Sequence, residues 1–394
     1  MAEDVLVIGA GPAGIACAYF LQEAGIHYRV VDRAQEIAST WNSLYPSLRL
    51  NTTRFFSHLP GKRFPLRYGL FPTGKQYHRY LEDYVREHNF NIHLGVTVHE
   101  IKPEDGGWRV ESSEGSTWYS CVISATGRFG RRWLPDIPGM NDFRGRLIHA
   151  QDYLGPEPYA GKRVMVVGNG PSGVDIATEL GRDPNVVHPV LLSQRTGVVL
   201  RPRYPMGLPK HAWVIIGETL PKRIGQRLID HITSIRFENL DRVGIKTPRT
   251  EAESSAAGGT RGRELIDVVK AGRVRCVDGP VRFYPEAVRL QDGACVTVDA
   301  VIMGTGYKPV IDRYFKLPFE RDNQGWPMRV EGDPDRQDTG QRQVAGYPGL
   351  YLVGVFYTGK GAMYNFNVEA RQAVEEIQTR LAELRRTHPD ALAN

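Results

Sequence analysis

The sequence predicts an α/β protein with two doubly wound, Rossmann-like domains. Two stretches carry this prediction, because each places three glycines in GxGxxG spacing: Gly9, Gly11 and Gly14, then Gly168, Gly170 and Gly173. Each stretch follows a continuous apolar run, typical of a parallel strand buried on both faces, and precedes a helical pattern. A chain of 394 residues is long enough for two or three domains of this size.

The first stretch has the complete pattern of a dinucleotide-binding turn. In this spacing Gly9 permits a tight turn, Gly11 lets a diphosphate approach the main chain, and Gly14 allows a helix to pack closely on the strand. The helix predicted over 12–23 presents its N-terminal N–H groups to the anion. The following strand ends at Asp32, a carboxylate placed to bind ribose hydroxyls, which suits FAD or NAD.

The second stretch repeats the strand, the glycines and a helix over 171–180, but its next strand does not end in an acid. That strand, predicted over 187–192, is followed by Ser193-Gln194-Arg195-Thr196. A carboxylate would repel the 2′-phosphate of NADP, whereas Arg195 can bind it in a forked, charge-assisted contact. The alternative is an exposed arginine without this role. Two dinucleotide sites in one chain indicate a protein that passes hydride between two cofactors.

Composition excludes several other classes of protein. With 41% hydrophobic and 24% charged residues and no apolar run near the roughly 20 residues that span a bilayer, we expect a cytoplasmic protein without a membrane partner. Net charge is +6, but the basic residues are dispersed and no nucleic-acid module is recognisable, so we expect no nucleic-acid partner. Four cysteines without a CxxC pair argue against a zinc site, a disulfide set or a redox dithiol, and we expect no metal.

A segment between the two stretches indicates the reaction. Residues 143–153 fit FxGxxxHxxxY at every specified position, through Phe143, Gly145, His149 and Tyr153. On the residues alone, the segment could also be a domain-crossing turn in which His149 is merely packed. The pattern is the identifying sequence of class B flavin monooxygenases, and nearly the whole chain resembles this family, most of all the plant YUCCA-type enzymes and short bacterial relatives.

The resemblance implies an FAD domain with an inserted NADP domain, divided as 1–155 and 301–394 for FAD and 156–300 for NADP. It also implies the chemistry: NADPH reduces FAD, O2 adds to the flavin, and the C4a-hydroperoxyflavin gives one oxygen atom to a small organic substrate. The protein itself must position NADP and exclude water. We expect a monomer or a homodimer.

The fingerprints and the resemblance together predict the cofactor-binding residues. The turns Ala125-Thr126-Gly127 and Gly304-Thr305-Gly306 resemble the family's two crossovers between domains, and the strand ending at Gly354 resembles the one that closes over the flavin. The predicted set is Gly9, Gly11, Pro12, Ala13, Gly14, Asp32, Arg33, Thr40, Trp41, Asn51, Thr126, Gly127, His149, Gly168, Gly170, Pro171, Ser172, Gly173, Ser193, Arg195, Thr196, Gly304, Thr305, Gly306 and Gly354.

Two residues are predicted to be catalytic. Asn51 falls where heteroatom-oxidising members of the family have an asparagine that hydrogen-bonds the flavin peroxide, whereas Baeyer–Villiger members generally have an aspartate and YUCCA-type enzymes differ again. A neutral amide can donate to the peroxide without deprotonating it; alternatively, Asn51 caps a turn before Thr52. Gln76 matches a family glutamine near flavin and nicotinamide. Arg249 is a candidate for the arginine of Baeyer–Villiger enzymes, in a loop that looks more YUCCA-like.

The residue at position 51 and the resemblance to YUCCA-type enzymes set the order of the candidate reactions. Nitrogen or sulfur oxidation comes first, oxidative decarboxylation of a 2-oxo acid second and Baeyer–Villiger oxidation third. More distant alternatives are an NADPH-dependent flavoprotein reductase and a dinucleotide-sensing protein without turnover.

Two helices outside the fingerprints are also predicted. One begins near residue 220, after a Pro-rich, irregular stretch, and places Ile224, Leu228, Ile232 and Ile235 on one side, which favours core packing. The other spans 366–385, with Val374, Ile377, Leu381 and Leu384 on one face, and is also expected to pack in the core.

Overall fold

The computed structural model describes residues 4–195, 197–248, 250, 259–323, 325–333, 339–355 and 360–387. The strands in these ranges are β1 (Val5–Ile8), β2 (Tyr28–Asp32), β3 (Ile92–Leu94), β4 (Val98–Glu104), β5 (Gly107–Ser112), β6 (Gly115–Tyr119), β7 (Cys121–Ser124), β8 (Arg131–Arg132), β9 (Arg146–His149), β10 (Arg163–Val167), β11 (Val187–Ser193), β12 (Val199–Arg201), β13 (Gly259–Arg261), β14 (Val274–Val277), β15 (Pro280–Phe283), β16 (Ala287–Leu290), β17 (Cys295–Thr297), β18 (Ala300–Met303), β19 (Tyr307–Lys308) and β20 (Leu350–Leu352). The α-helices are α1 (Pro12–Glu23), α2 (Ser39–Asn42), α3 (Gly74–His88), α4 (Pro171–Arg182), α5 (Lys210–Thr219), α6 (Lys222–Ser234), α7 (Glu264–Lys270) and α8 (Ala362–Thr387).

The chain divides into two compact units. The first comprises 1–42, 49–131 and 307–394, and its main sheet is parallel in the order β20-β7-β1-β2-β3. The central strand β1 is buried at all four positions, as its apolar run predicts. Helix α1 packs against α8, whose Val374 and Ile377 are buried, so the predicted core role of this helix is confirmed. A second, antiparallel sheet is formed by β4, β5 and β6.

The second unit comprises 43–48 and 132–306. Its main sheet is also parallel, in the order β14-β11-β10-β18-β9. Strand β9 therefore belongs to the second unit, although the predicted division placed it in 1–155. The units change at 131/132 and 306/307, and the predicted boundaries at 155 and 300 stay a prediction about domains.

The helix predicted from about residue 220 required a correction. The structure has two helices here, α5 and α6, and α5 occupies part of the stretch expected to be irregular. Ile232 is buried as predicted, but the core role of Ile224 is wrong, since this side chain is 57% exposed. The reason is that Gly225 lies at the crossing with α5: a Cβ there would be 2.0 Å from the oxygen of Gly217.

None of the helices within the described ranges combines the length and the apolar character needed to cross a lipid bilayer.

Candidate active site and cofactor sites

The first glycine fingerprint forms a turn that excludes a side chain at Gly9 and Gly14 but leaves open space at Gly11. Gly9 has φ +113°, a left-handed conformation that favours glycine. A Cβ on Gly14 would lie 1.8 Å from the Gly9 oxygen, so only glycine lets α1 pack this closely on β1. At Gly11, the residue preceding α1, an added Cβ would meet no atom of the described protein within 4 Å. The space before the helix N-terminus is thus open to an anion.

The second fingerprint repeats this geometry. Gly168 has φ +114°, and a Cβ on Gly173 would lie 1.9 Å from the Gly168 oxygen. At Gly170, which precedes α4, an added Cβ again meets no atom of the described chain within 4 Å. The predicted residues Pro12 and Pro171 each occupy the first turn of their helix, where a missing N–H costs nothing. The two turns are therefore built alike, and both can hold a diphosphate.

The predicted crossover turns lie directly against these fingerprints. A Cβ on Gly9 would be 2.6 Å from the oxygen of Ala125, and one on Gly168 would be 2.2 Å from the oxygen of Gly304. After each contact the chain turns at a glycine with positive φ, +63° at Gly127 and +87° at Gly306. The neighbouring hydroxyls are held as well: Thr126 hydrogen-bonds the Tyr314 hydroxyl, and Thr305 donates to the oxygen of Trp133.

The carboxylate of Asp32 is fixed next to the first fingerprint. Its Oδ2 accepts a hydrogen bond from the N–H of Ala10 at 2.8 Å, and its Oδ1 accepts one from the N–H of Ala34 at 2.9 Å. Each carboxylate oxygen can accept a further bond, so the group is oriented but can still bind ribose hydroxyls. The next residue, Arg33, is exposed and donates to the oxygen of Gly130 at 3.2 Å.

Strand pairing shows which residue replaces this acid in the second site. β1 pairs with β2 up to Val31, and β10 pairs with β11 up to Ser193, so Gln194 occupies the place of Asp32. Gln194 is fully buried, and its side-chain oxygen accepts a hydrogen bond from the N–H of Lys246 at 3.0 Å. Ser193 is buried too, and its main-chain oxygen accepts from the N–H of Gly168. Neither side chain presents a negative charge here.

Arg195 is the first exposed residue after this strand, as a phosphate-binding residue must be. Thr196, predicted beside it, lies outside the described residues, as does Arg249.

The FxGxxxHxxxY segment is part of the second unit. There the side chain of His149 forms hydrogen bonds with main-chain groups. His149 ends β9, and its Nε2 lies 3.1 Å from the oxygen of Gly306, while its Nδ1 accepts from the N–H of Gln151. This pattern fits a neutral imidazole that donates from Nε2, and burial lowers the pKa of His149. A Cβ on Gly145 would lie 2.5 Å from the oxygen of Asp299. His149 therefore holds the crossover turn; the contact with a cofactor that we predicted for it stays a prediction.

Asn51 and Gln76 lie on neighbouring segments. The bridge between Arg49 and Thr73, with the N–H of Leu50 donating to the oxygen of Pro72 at 2.9 Å, joins 49–51 to the start of α3. Asn51 is exposed, and the N-cap of the following 3₁₀ helix, Arg54–Phe56, is Thr53.

Gln76 has a structural role that the prediction missed. Its Oε1 accepts from the N–H of Thr73 at 2.8 Å, while its own N–H donates to the Thr73 hydroxyl at 3.2 Å, which completes a capping box at the start of α3. The T-x-x-Q spacing was a visible signal for it. The amide nitrogen of Gln76 and the second lone pair of its Oε1 remain available for a catalytic contact.

Three further predicted residues lie around α1 and α3 in the first unit. Trp41 packs edge-on to Tyr77, with ring centroids 4.6 Å apart, and Thr40 precedes it in the short helix α2. Gly354 lies against α1, since a Cβ on Gly354 would be 2.3 Å from the Cβ of Ala13. Its N–H donates to the buried carboxylate of Glu369 at 2.8 Å, a residue that the sequence did not single out.

A buried tyrosine braces the helix of the second fingerprint. The hydroxyl of Tyr45 donates to Oδ2 of Asp175 at 3.0 Å and also hydrogen-bonds Ser172, a predicted cofactor-binding residue. Burial raises the pKa of the Asp175 carboxyl to about 6, against the bond from Tyr45, which lowers it. Tyr45 and Asp175 are 130 residues apart, so no local pattern could have predicted the pair.

Comparison with known proteins shows the family to which this chain belongs. A family model described as pyridine nucleotide-disulphide oxidoreductase matches residues 6–199. The chain is 30% identical over 401 residues to the indole-3-pyruvate monooxygenase YUCCA6 of Arabidopsis thaliana, covering 94% of this chain and 89% of that protein. The chain belongs to the YUCCA-like flavin monooxygenases. The flavin-containing monooxygenase of Stenotrophomonas maltophilia has the same fold, with a TM-score of 0.71 at 23% identity, covering 97% of this chain and all of that one.

This flavin monooxygenase uses FAD and NADPH, the cofactors of its family, and it acts on a small organic molecule and O2. Its residues fit two such groups. Each fingerprint has an open approach to a helix N-terminus, which is what a diphosphate needs, and only one of them is followed by an acid. The predicted identity of both cofactors is confirmed.

The four cysteines do not form the redox pair that a dithiol reductase needs. All four are free. Cys17 and Cys121 are fully buried, and burial raises the pKa of both thiols, so neither is a reactive thiolate. Cys276 is in β14 and Cys295 in β17, on two different sheets.

Proposed function

We propose that this monooxygenase transfers one oxygen atom from O2 to a nucleophilic nitrogen or sulfur of a small organic substrate. The observation that carries the proposal is Asn51, an exposed, neutral amide on a segment fixed by main-chain bonds to the start of α3. A carboxylate at this place could accept a proton, whereas an amide can only donate or accept a hydrogen bond. An uncharged donor suits oxygen transfer to an electron-rich atom, in which the oxygen must remain electrophilic.

The two fingerprints have separate tasks in this proposal. The first holds FAD, with its diphosphate at α1 and its ribose on Asp32, because the acid is already oriented by Ala10 and Ala34. The second holds NADPH, with Arg195 on the 2′-phosphate, because Gln194 has replaced the acid and is turned inward. When bound and reduced, FAD supplies the reaction with O2 that no amino-acid side chain can provide.

The remaining residues orient these groups. Asn51 would donate a hydrogen bond to the bound flavin, and Gln76 would offer its amide nitrogen. His149 fixes the turn at Gly306, and Tyr45 fixes Ser172 at the start of α4. For these tasks the side chains must be held in position, and none of them has to change protonation state near neutral pH. The lowered pKa of His149 is consistent with this.

The proposal is tested by following the labelled oxygen. The holoenzyme is supplied with NADPH, ¹⁸O2 and either a thioether, a tertiary amine or an aryl 2-oxo acid. Label in a sulfoxide or N-oxide, formed in proportion to the NADPH consumed, is the expected result. Asn51→Ala should release more hydrogen peroxide per NADPH and form less product, whereas Asn185→Ala, an exposed asparagine of the second unit, should leave both unchanged. Unchanged coupling in Asn51→Ala would remove Asn51 from the reaction.

A second candidate function is oxidative decarboxylation of a 2-oxo acid. It is favoured by the names of the relatives, among them the indole-3-pyruvate monooxygenases of Arabidopsis thaliana and of rice, the latter 29% identical over 320 residues. Carbon dioxide release from the aryl 2-oxo acid, coupled to NADPH consumption and without oxidation of the thioether or the amine, would establish this reaction and reject the first.

Replacing Arg195 should change the preference between the two nicotinamide cofactors. A charge-assisted bond to a phosphate contributes about 1.5–3 kcal/mol, so Arg195→Ala should raise the Michaelis constant for NADPH by about 10- to 100-fold and leave that for NADH nearly unchanged. Initial rates with each cofactor measure this. Arg182→Ala, at the end of α4, removes an exposed arginine of the same unit as a control. Equal effects on NADPH and NADH would refute the role of Arg195.

A further inference from the structure

Exposed apolar side chains are concentrated in one short part of the second unit. The described residues include seventeen large apolar side chains that are exposed, and seven of them fall within residues 204–224. These seven are Tyr204, Met206, Leu208, Ile215, Ile216, Leu220 and Ile224. Single exposed apolar residues are ordinary, whereas large exposed apolar patches mark sites that bind a protein, a membrane or a ligand. We call residues 204–234, which include α5 and α6, the apolar hairpin.

The packing of α5 on α6 explains why these side chains face outward. The two helices cross at Gly217 and Gly225, where a Cβ on Gly225 would lie 2.0 Å from the Gly217 oxygen. Ile229 also fits against Gly217, so the inner side of the crossing is filled by small residues and one isoleucine. Ile216 and Ile224 lie one residue before these glycines, turned away from the crossing. Their exposure follows from a close helix contact and is not a packing defect.

The same part of the chain is basic. Residues 204–234 contain four Lys or Arg and two Asp or Glu, a net charge of +2. Three of the basic residues, Lys222, Arg223 and Arg227, are exposed on α6 beside Leu220 and Ile224. The hairpin thus joins an apolar surface to a basic one.

We infer that the apolar hairpin binds the surface of an anionic phospholipid bilayer. Helices that bury an apolar side among acyl chains while Lys and Arg contact lipid phosphates lie in the membrane interface without crossing it. The apolar hairpin has both parts, and its helices α5 and α6 are short. Such peripheral contact differs from the expectation of no membrane partner, on which the described helices bear only as regards crossing a bilayer.

Charge and chemistry disfavour the other occupants. A second copy of the chain would meet the hairpin through the same residues on both sides, which would place Arg223 and Arg227 near their own symmetry mates. Nucleic acid could pair its phosphates with the arginines. It would not cover Met206, Ile216 or Ile224, because bases stack on aromatic rings and not on aliphatic side chains. An anionic bilayer satisfies both groups.

The test is flotation of the holoenzyme with vesicles of phosphatidylcholine alone or mixed with phosphatidylglycerol. We expect flotation with the anionic vesicles, weakened by salt, and little with phosphatidylcholine alone. Arg223→Gln with Arg227→Gln should weaken partitioning about 25-fold, at about fivefold for each basic residue neutralised. Ile216→Glu with Ile224→Glu should abolish it.

A matched control is Val281→Glu, which changes an exposed apolar residue of the same unit outside the hairpin and should leave flotation unchanged. Bound flavin and the melting temperature show that every variant is folded, as surface changes should leave them. Failure to float with anionic vesicles overturns the inference, as does flotation that the hairpin variants do not reduce. A dimer in sedimentation that Ile216→Glu with Ile224→Glu dissociates, or binding of single-stranded RNA, without any vesicle binding, would assign the surface to those partners.

Discussion

Replacing Gly11 with alanine is expected to remove FAD from a protein that still folds. Gly11 has φ −82° and ψ −177°, which alanine adopts without strain, and the added Cβ would meet no described atom within 4 Å. That same space lies before the N-terminus of α1, where a diphosphate has to approach the main chain. We expect FAD affinity to fall on the order of a hundredfold, which corresponds to about 2.7 kcal/mol, with the melting temperature of the apoprotein unchanged.

Gly14→Ala, three residues later, should have the opposite pattern. Its Cβ would lie 1.8 Å from the oxygen of Gly9, so α1 must move off β1 in the core of the first unit. Overpacking of this kind costs about 1–3 kcal/mol or more, and the apoprotein itself should be destabilised. Flavin titration of apoprotein and thermal melting, done on both variants, separate the two effects.

The second fingerprint provides the internal control. Gly170→Ala faces equally open space, so it should raise the Michaelis constant for NADPH while the protein keeps its flavin. If Gly11→Ala retained FAD with wild-type affinity, the diphosphate would not lie at α1. If Gly170→Ala lost FAD instead, the assignment of the two cofactors to the two fingerprints would have to be exchanged.

Sequence patterns correctly predicted the structural features that are determined by residues close together in the chain. The bounds of α1 agree with the predicted 12–23, and the positive φ of Gly9 and Gly168 follows from a turn that the spacing already requires. The sequence also showed that no acid follows the corresponding strand of the second site. Only the strand register, however, shows that Gln194 and not Ser193 takes the place of Asp32.

Features that depend on distant contacts could not be predicted from spacing. The exposure of Ile224 follows from the contact between Gly217 and Gly225, which an amphipathic pattern within one helix does not reveal. The bond between Tyr45 and Asp175 joins residues 130 positions apart. Glu369 lies on a helix whose apolar face was predicted correctly. The role of its buried carboxylate could not be predicted, because its partners are distant in the sequence and are brought to it by the fold.

Those partners make Glu369 a residue whose loss should strongly destabilise the first unit. Its Oε1 accepts from Arg329 at 2.5 Å and from Arg342 at 3.2 Å, and its Oε2 accepts from the N–H of Gly354. All three charged side chains are at most 5% exposed. Burial lowers the pKa of Arg329 to about 10, although the carboxylates of Glu369 and Glu376 raise it.

Glu369→Gln should therefore lower the free energy of unfolding by about 3–5 kcal/mol, because it leaves two buried guanidinium groups without their shared carboxylate. It should also speed the release of FAD, since Gly354 packs on Ala13 of α1 and would lose the acceptor of its N–H. Denaturant unfolding and the rate of flavin release measure the two effects. Glu375→Gln, an exposed glutamate of the same helix, should change the free energy of unfolding by less than about 0.5 kcal/mol.

A third variant separates stability from the position of Gly354. Replacing the whole cluster, by Arg329→Met, Glu369→Leu and Arg342→Met together, removes both guanidinium groups along with the carboxylate that they share, so it should recover most of the lost stability. It provides no acceptor for the N–H of Gly354, and FAD should still be released faster than from the wild type. Recovery of both properties would mean that Glu369 acts on the flavin site only through the stability of the fold. Loss of neither property in Glu369→Gln would mean that the buried cluster needs no negative charge.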